Sequence, residues 1–275
     1  MKILVTGRNG FIARHLLPRL EHHEICTTGR EDDLVQILDN FKPEMIFHLG
    51  AELSDESAMF TTNVVQTLHI LEWLRGNTDS KLILFGSSSE YGRSVKPMAE
   101  TDALKPDTIY EGTKAAAAML ARSWSKTWNL KITLIRPFTI YGPYEKPNKF
   151  SQILFRKYHD KSVLKLTEGV HDYMYVDDFV DATLRVAFWE ETANYNVVNI
   201  GSGTQKTNAE FTRAFQKEIG YTYPVELTEN PKSYDSSNWV ADVSVLTNKY
   251  GIEISPFEYG IKRLAVFFKN GGENR

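Results

Sequence analysis

The stretch Lys2 to Leu20, KILVTGRNGFIARHLLPRL, constrains the fold more than any other part of the chain. Ile3-Leu4-Val5 is a short apolar run without polar alternation, the pattern of a strand buried on both faces of a parallel sheet. Gly7 and Gly10 then permit a tight turn, and Phe11, Ile12, Leu16, Leu17 and Leu20 recur at spacings that lay an apolar stripe along a helix. A strand that turns through glycines into a helix gathers free backbone N–H groups and the positive end of the helix dipole at one point. Such a point binds phosphate. The spacing Gly-x-x-Gly-x-x-Ala is one residue longer in its first gap than the common dinucleotide fingerprint, with Ala13 in place of a third glycine. Gly7, Asn9, Gly10, Phe11 and Ile12 are therefore candidate cofactor contacts.

Composition narrows the partners. A chain of 275 residues, 42% hydrophobic and 24% charged, can bury a full core, and its net charge of −3 offers no overall positive field to nucleic acid or an anionic membrane. The single cysteine, Cys26, permits neither an internal disulfide nor a cysteine metal cluster, which fits a reducing cytoplasm. The first strand begins without a basic leader, and no apolar run approaches the ~18 residues of a membrane span, so neither export nor membrane insertion is expected.

Further along, Glu24 to Thr28 reads as a second strand, ending Thr27-Thr28-Gly29-Arg30 with no carboxylate at its tip. An acidic residue there would accept hydrogen bonds from an adenosine ribose, whereas Arg30 offers a fork of donors to a 2′-phosphate. NADP(H) is the expected cofactor, with NAD(H) the alternative. A helix is expected over Leu34 to Phe41, so the usual third strand is short or absent. Met45 to Leu49 is another buried strand, and the small tip Leu49-Gly50-Ala51 would let a ribose and pyrophosphate lie against backbone. His48, inside that apolar strand, reads as structural. A helix follows over Thr62 to Arg75 with Asn63 at its start, then an apolar strand over Lys81 to Phe85 that opens into Gly86-Ser87-Ser88-Ser89-Glu90-Tyr91-Gly92. Hydroxyls at the carboxyl end of a strand in an open α/β sheet occupy the ligand crevice.

Tyr110 and Lys114 stand at i and i+4 in a segment of high helix propensity, so both side chains share one helix face. A phenol is a poor acid or base near neutral pH, and a neighbouring ammonium would lower its pKa. Glycine turn, serine loop and Tyr-Lys pair, in that order, point to hydride chemistry with Ser87, Tyr110 and Lys114 as the catalytic residues.

In this combination the chain resembles the extended short-chain dehydrogenases/reductases, the NAD(P)-dependent class acting on nucleotide sugars. TGRNGFIA is similar to the family's phosphate turn, HLGA to a strand tip, TTNVVQT to the helix carrying an active-site asparagine, SSSEYG to the serine loop and YEGTK to the Tyr-x-x-x-Lys pair. IRPFTIYGP, HDYMYVDDFVDA, VVNIGSG and WVADVSVLTNKYGI extend the likeness almost end to end. The resemblance implies a doubly wound parallel sheet over 1–142 and 173–203 and a smaller nucleotide-sugar-binding lobe over 143–172 and 204–275 that closes over the substrate. It implies Ser87 and Tyr110 gripping the sugar oxygen and Lys114 holding the nicotinamide ribose. Ser88, Ser89, Asn148, Lys149, His171 and Lys232 become candidate contacts to a nucleotide-diphosphate sugar. His171 stands where the family carries an arginine, for which Lys232, Lys165 or Arg156 would compensate. Helices 62–75 and 110–128, with Trp124 and Trp128, would pair across a twofold axis in a homodimer.

The resemblance also sorts the reactions. Ser88 and Ser89 occupy the positions of the dehydratases' Asp-Glu pair, which argues against elimination of water. The pattern is similar to the nucleotide-sugar 4-ketoreductases, and NADPH-dependent reduction of a 4-keto-6-deoxy sugar is the main expectation. An NAD-dependent nucleotide-sugar 4-epimerase using the same three residues is the alternative, and a catalytically silent dinucleotide sensor is the reading from a different class.

Overall fold

The computed structural model describes residues 1–228 and 238–272. In chain order the elements are β1 (Lys2–Thr6), α1 (Phe11–Leu16), β2 (Glu24–Thr28), α2 (Leu34–Phe41), β3 (Met45–His48), α3 (Glu56–Phe60), a π turn (Thr61–Val65), α4 (Gln66–Arg75), β4 (Lys81–Phe85), α5 (Ile109–Trp128), β5 (Lys131–Pro137), β6 (Thr139–Tyr141), α6 (Phe150–Asp160), β7 (Leu164–Thr167), β8 (Val170–His171), β9 (Tyr173–Tyr175), α7 (Val176–Ala187), β10 (Tyr195–Ile200), β11 (Lys206–Thr207), α8 (Asn208–Ile219), β12 (Val225–Thr228), α9 (Ser244–Asn248) and α10 (Phe257–Lys269). They form two compact units, one of residues 1–92, 100–137 and 183–199, the other of residues 93–99, 138–182 and 200–275.

The first unit is built on a six-stranded sheet in the order β10-β5-β4-β3-β1-β2, its pairs from β5 to β2 parallel. No strand lies between α2 and β3, so β2 is the edge, as the short connection in the sequence predicts. The apolar runs supply the buried faces: Leu4, Ile46, Leu82, Leu84 and Leu134 of the strands pack with Ile70, Leu71 and Leu74 of α4 and with Ala118 and Ala121 of α5. Alanines on α5 let that helix lie close to the sheet. The helix expected from Thr62 begins earlier, at Glu56, because the Asp55 side chain accepts the Ser57 N–H and caps it.

In the second unit the fully buried carboxylate of Asp172 gathers backbone N–H groups of Ser202, Gly203 and Ala241 at 2.5–3.0 Å, joining segments distant in sequence. Beside it β6 pairs with β9 in parallel; Tyr141 packs edge to face on Tyr173 and Phe211 with centroids 6.1 and 4.9 Å apart, and Tyr173 and Phe211 meet tilted at 4.6 Å. The chain returns to the first unit within α7, between Ala182 and Thr183. Among the described residues no helix is long and apolar enough to cross a membrane, and no group of His, Cys, Asp or Glu could hold a metal ion.

Candidate active site

The first unit brings the glycine turn, the β3 tip, the serine loop and the first turns of α5 into one fold. Gly7 has φ of 73°, and a Cβ there would lie 2.9 Å from the Gly50 nitrogen, so only glycine admits this close approach of turn and β3 tip. The Gly10 N–H donates to the Gly7 carbonyl at 2.8 Å, and α1 then starts with no side chain capping it. Its first N–H groups are left for an anion, so the turn formed by Gly7, Asn9, Gly10, Phe11 and Ile12 fits a dinucleotide pyrophosphate.

At the β2 tip the structure supplies what the local sequence lacks. Asp32, beyond the strand end, folds back so that one carboxylate oxygen accepts the Gly29 N–H at 2.7 Å and also pairs with the Arg8 guanidinium. Its pKa is held below the usual carboxylate range, first by the Gly29 N–H and then by Arg8. Arg30 is also paired: its guanidinium meets the buried carboxylate of Glu52. Glu52 further accepts the N–H groups of Leu53, Ser54 and Asp55 at 2.9–3.1 Å, and these backbone donors draw its pKa down to about 2. Both guanidinium charges at this corner are thus met by internal carboxylates. Arg8 and Glu52 were not among the sequence candidates; Asp32 is one of three acidic residues, Glu31 to Asp33, that follow Arg30 in the sequence and already weigh against a 2′-phosphate there. The arginine partners of Asp32 and Glu52 are 24 and 22 residues away and carry no local signal.

Ser87 and Tyr110 come together, and Lys114 stands one helical turn further along α5. Ser87 accepts the Ser89 N–H at 3.1 Å on its hydroxyl, which is also hydrogen-bonded to the Tyr110 phenol. Tyr110 and Lys114 both lie in α5, whose start is fixed by the reciprocal cap between Thr108 and Glu111. Asn63, in the π turn, braces this region: its amide donates to the Glu52 carbonyl at 2.9 Å and to Thr113 Oγ1 at 3.0 Å, and Thr113 in turn donates to the Tyr110 carbonyl. Ser88 is buried and Ser89 half-buried in the same loop.

One electrostatic expectation is corrected. The Tyr110 phenol is raised above its ordinary value, not lowered: burial dominates, the Ser87 hydrogen bond opposes it, and the negative charges of Glu90 and Glu111 add to the rise. Lys114 is not among the groups that shift the phenol; its buried ammonium donates to the Phe85 carbonyl. Burial brings the Lys114 pKa down to about 8, with Glu90 resisting. His48 is structural, as expected: Thr6 accepts the Gly50 N–H and meets the His48 Nδ1 at 2.8 Å, and burial, then the Lys114 charge, lowers its pKa to about 3.

The second unit carries the proposed sugar-nucleotide contacts. Asn148 and Lys149 are exposed just ahead of α6, with Lys149 at its N-cap, and His171 is half-buried on β8 with its ring edge-on to Tyr173 at 5.4 Å. Lys232 lies outside the described residues.

Residues 3–201 match the model of the NAD dependent epimerase/dehydratase family. A probable UDP-glucuronate 4-epimerase of Rhizobium meliloti is 25% identical over 80% of this chain and 83% of its own length. A UDP-glucose 4-epimerase from Thermotoga maritima, solved with UDP-glucose, is 26% identical with a TM-score of 0.89, covering 99% of this chain and all of its own. In fold alone, the UDP-glucuronic acid 4-epimerase of Bacillus cereus, solved with UDP-glucuronic acid and NAD, is similar with a TM-score of 0.88 at 22% identity, over 98% of this chain and 99% of that one. With its parallel sheet, glycine turn and Ser-Tyr-Lys set, the chain belongs to the NAD dependent epimerase/dehydratase family, within the extended short-chain dehydrogenases/reductases.

Proposed function

We propose that this enzyme is a nucleotide-sugar 4-epimerase that works with retained NAD, the alternative of the two readings the sequence leaves open. The observation that carries it is Asp32 seated on the Gly29 N–H at the β2 tip, where a carboxylate suits a ribose hydroxyl and repels a 2′-phosphate. The pairing of Arg8 with Asp32 and of Arg30 with Glu52 supports it, since neither guanidinium stands as an uncompensated phosphate site. The relatives named above, all 4-epimerases, support it too.

Gly7, Asn9, Gly10, Phe11 and Ile12 would hold the pyrophosphate, Leu49, Gly50 and Ala51 would lie along the dinucleotide, and Lys114 would hold the nicotinamide ribose. When bound, the nicotinamide supplies acceptance and return of a hydride at C4. The chain supplies position and proton transfer: Ser87 holds the sugar O4, and Tyr110 takes the O4 proton and gives it back. Asn148, Lys149 and His171 are proposed contacts to the diphosphate. Exposed Met119 and Trp128 on α5 support a homodimer formed through that helix.

Heat release of the cofactor from purified protein, followed by chromatography, tests the reading. NAD in near-stoichiometric amount is expected. A protein that comes out empty, takes up only NADPH and consumes it against 4-keto sugars is the 4-ketoreductase instead.

A further inference from the structure

Beneath the serine loop lies a buried ion pair that the reaction scheme does not use. Glu90 is fully buried, and its two carboxylate oxygens are split between tasks: Oε1 accepts the Ser87 N–H at 2.7 Å, and Oε2 accepts from Arg136 Nε at 2.8 Å. Arg136, at the end of β5, also donates to the Tyr91 hydroxyl at 2.8 Å, and Tyr91 passes the chain on to Asn199 of β10 at 2.7 Å. The loop is shaped around the carboxylate, because a Cβ on Gly86 would fall 2.3 Å from Glu90 Oε1. A buried pair of this kind is a poor device for stability alone, since desolvation consumes most of the attraction. Its position gives it another use.

We propose that Glu90 is a positioning residue for the reaction, holding the Ser87 backbone through Oε1 and presenting, to the Tyr110–Lys114 pair, a fixed negative charge that Arg136 keeps in place. The inference rests on the active-site reading above. The charged and titratable groups around it are Arg136 from β5, Tyr91 from its own turn, Lys114 and Tyr110 from α5 and Tyr195 from β10. Tyr110 also faces Glu111, and Lys114 also faces His48 of β3. Burial pushes the Glu90 carboxyl up and Arg136 pulls it back toward its ionised form. On the phenol the Glu90 charge adds to the rise that burial sets, and on Lys114 it opposes the fall that burial causes, so Tyr110 rests as a neutral hydrogen-bond donor beside Ser87.

The test is the ultraviolet titration of Tyr110, obtained by subtracting the curve of Tyr110→Phe from that of the parent protein, in the presence and absence of Glu90→Gln. Glu90→Gln keeps the size of the side chain and removes the charge, so the Tyr110 curve is expected to move to lower pH by about half a unit or more. An unmoved curve in a folded variant overturns the proposal and leaves Glu90 a structural group. If Glu90→Gln does not fold, Glu90→Gln with Arg136→Met, which buries no unpaired charge, carries the same measurement. The shift is in the same direction, because Glu90 is the member of the pair that acts on the phenol, but smaller, because the lost Arg136 charge offsets part of it. Failure of both to fold would assign the pair to stability and equally overturn the proposal. No sugar substrate enters this titration, so it stands or falls independently of the epimerase reading.

Discussion

In the proposed reaction Tyr110 handles the proton, and its raised pKa gives that role a sign. Oxidation of a C4 hydroxyl needs the phenol to lose its proton, so kcat/KM measured from a hydroxyl sugar should rise with pH through and above neutrality. Reduction of a 4-keto sugar needs the protonated form and should be flat there. A flat profile in the oxidising direction would remove the phenol as base. Tyr110→Phe should lower kcat/KM roughly 10²–10⁴-fold while leaving cofactor affinity nearly unchanged, and near-normal turnover would exclude it from proton transfer. Two buried groups set the acid limit of the fold. His48 titrates at about 3 instead of its ordinary 6.5, and Glu52 at about 2 instead of 4.5. In each case the unfolded chain takes up the proton first, so the stability these two groups contribute is full above about pH 6.5 and is lost as pH falls through 4.5 toward 2. Glu145, raised to about 7 by burial, works the other way between pH 7 and 4.5, so the loss is read below that window. Urea midpoints that do not fall between about pH 4.5 and 3 would contradict this. The proposed trio of Ser87, Tyr110 and Lys114 could be singled out in sequence because it depends on motif and helical spacing. Glu52 and Arg136 could not, because each acquires its meaning from a partner brought close only by the fold, whereas Asp32 and Glu90 turn back onto backbone N–H groups three residues away and gain their arginine partners from the fold.

At the scale of elements, the buried strands were readable because a parallel strand covered on both faces is an unbroken apolar run, as in Ile3-Leu4-Val5 and Leu82-Ile83-Leu84. The start of the α3 to α4 helical stretch was misplaced because its signal is a single capping aspartate, Asp55, among several polar residues. The serine loop offers the sharpest element-level test. Gly86→Ala drives a Cβ into the Glu90 carboxylate, and overpacking of this kind costs roughly 1–3 kcal/mol. The urea midpoint should fall accordingly, and Ser87-dependent activity should fall with it. A variant with the parent's midpoint would mean that the loop yields and that the Glu90 anchor is soft.

For the whole molecule, the fold class followed from the order of motifs, and the family match over residues 3–201 bears it out. The proposed cofactor, NAD, is not the one the sequence favoured, since Arg30 reads as a phosphate ligand until Glu52 and the Asp32 turn are seen beside it. NAD should therefore raise the melting temperature more than NADP at equal concentration, the gain growing with the logarithm of free ligand. Equal or larger protection by NADP would restore the reductase reading. The most direct measurement is proton NMR of UDP-glucose and of UDP-glucuronate incubated with the purified protein and no added cofactor. The account predicts conversion of one of them to a mixture of its C4 epimers with no net change in NADH absorbance. No epimer from either, nor from the corresponding dTDP, GDP and CDP sugars, together with stoichiometric loss of NADPH on a 4-keto sugar, would contradict it.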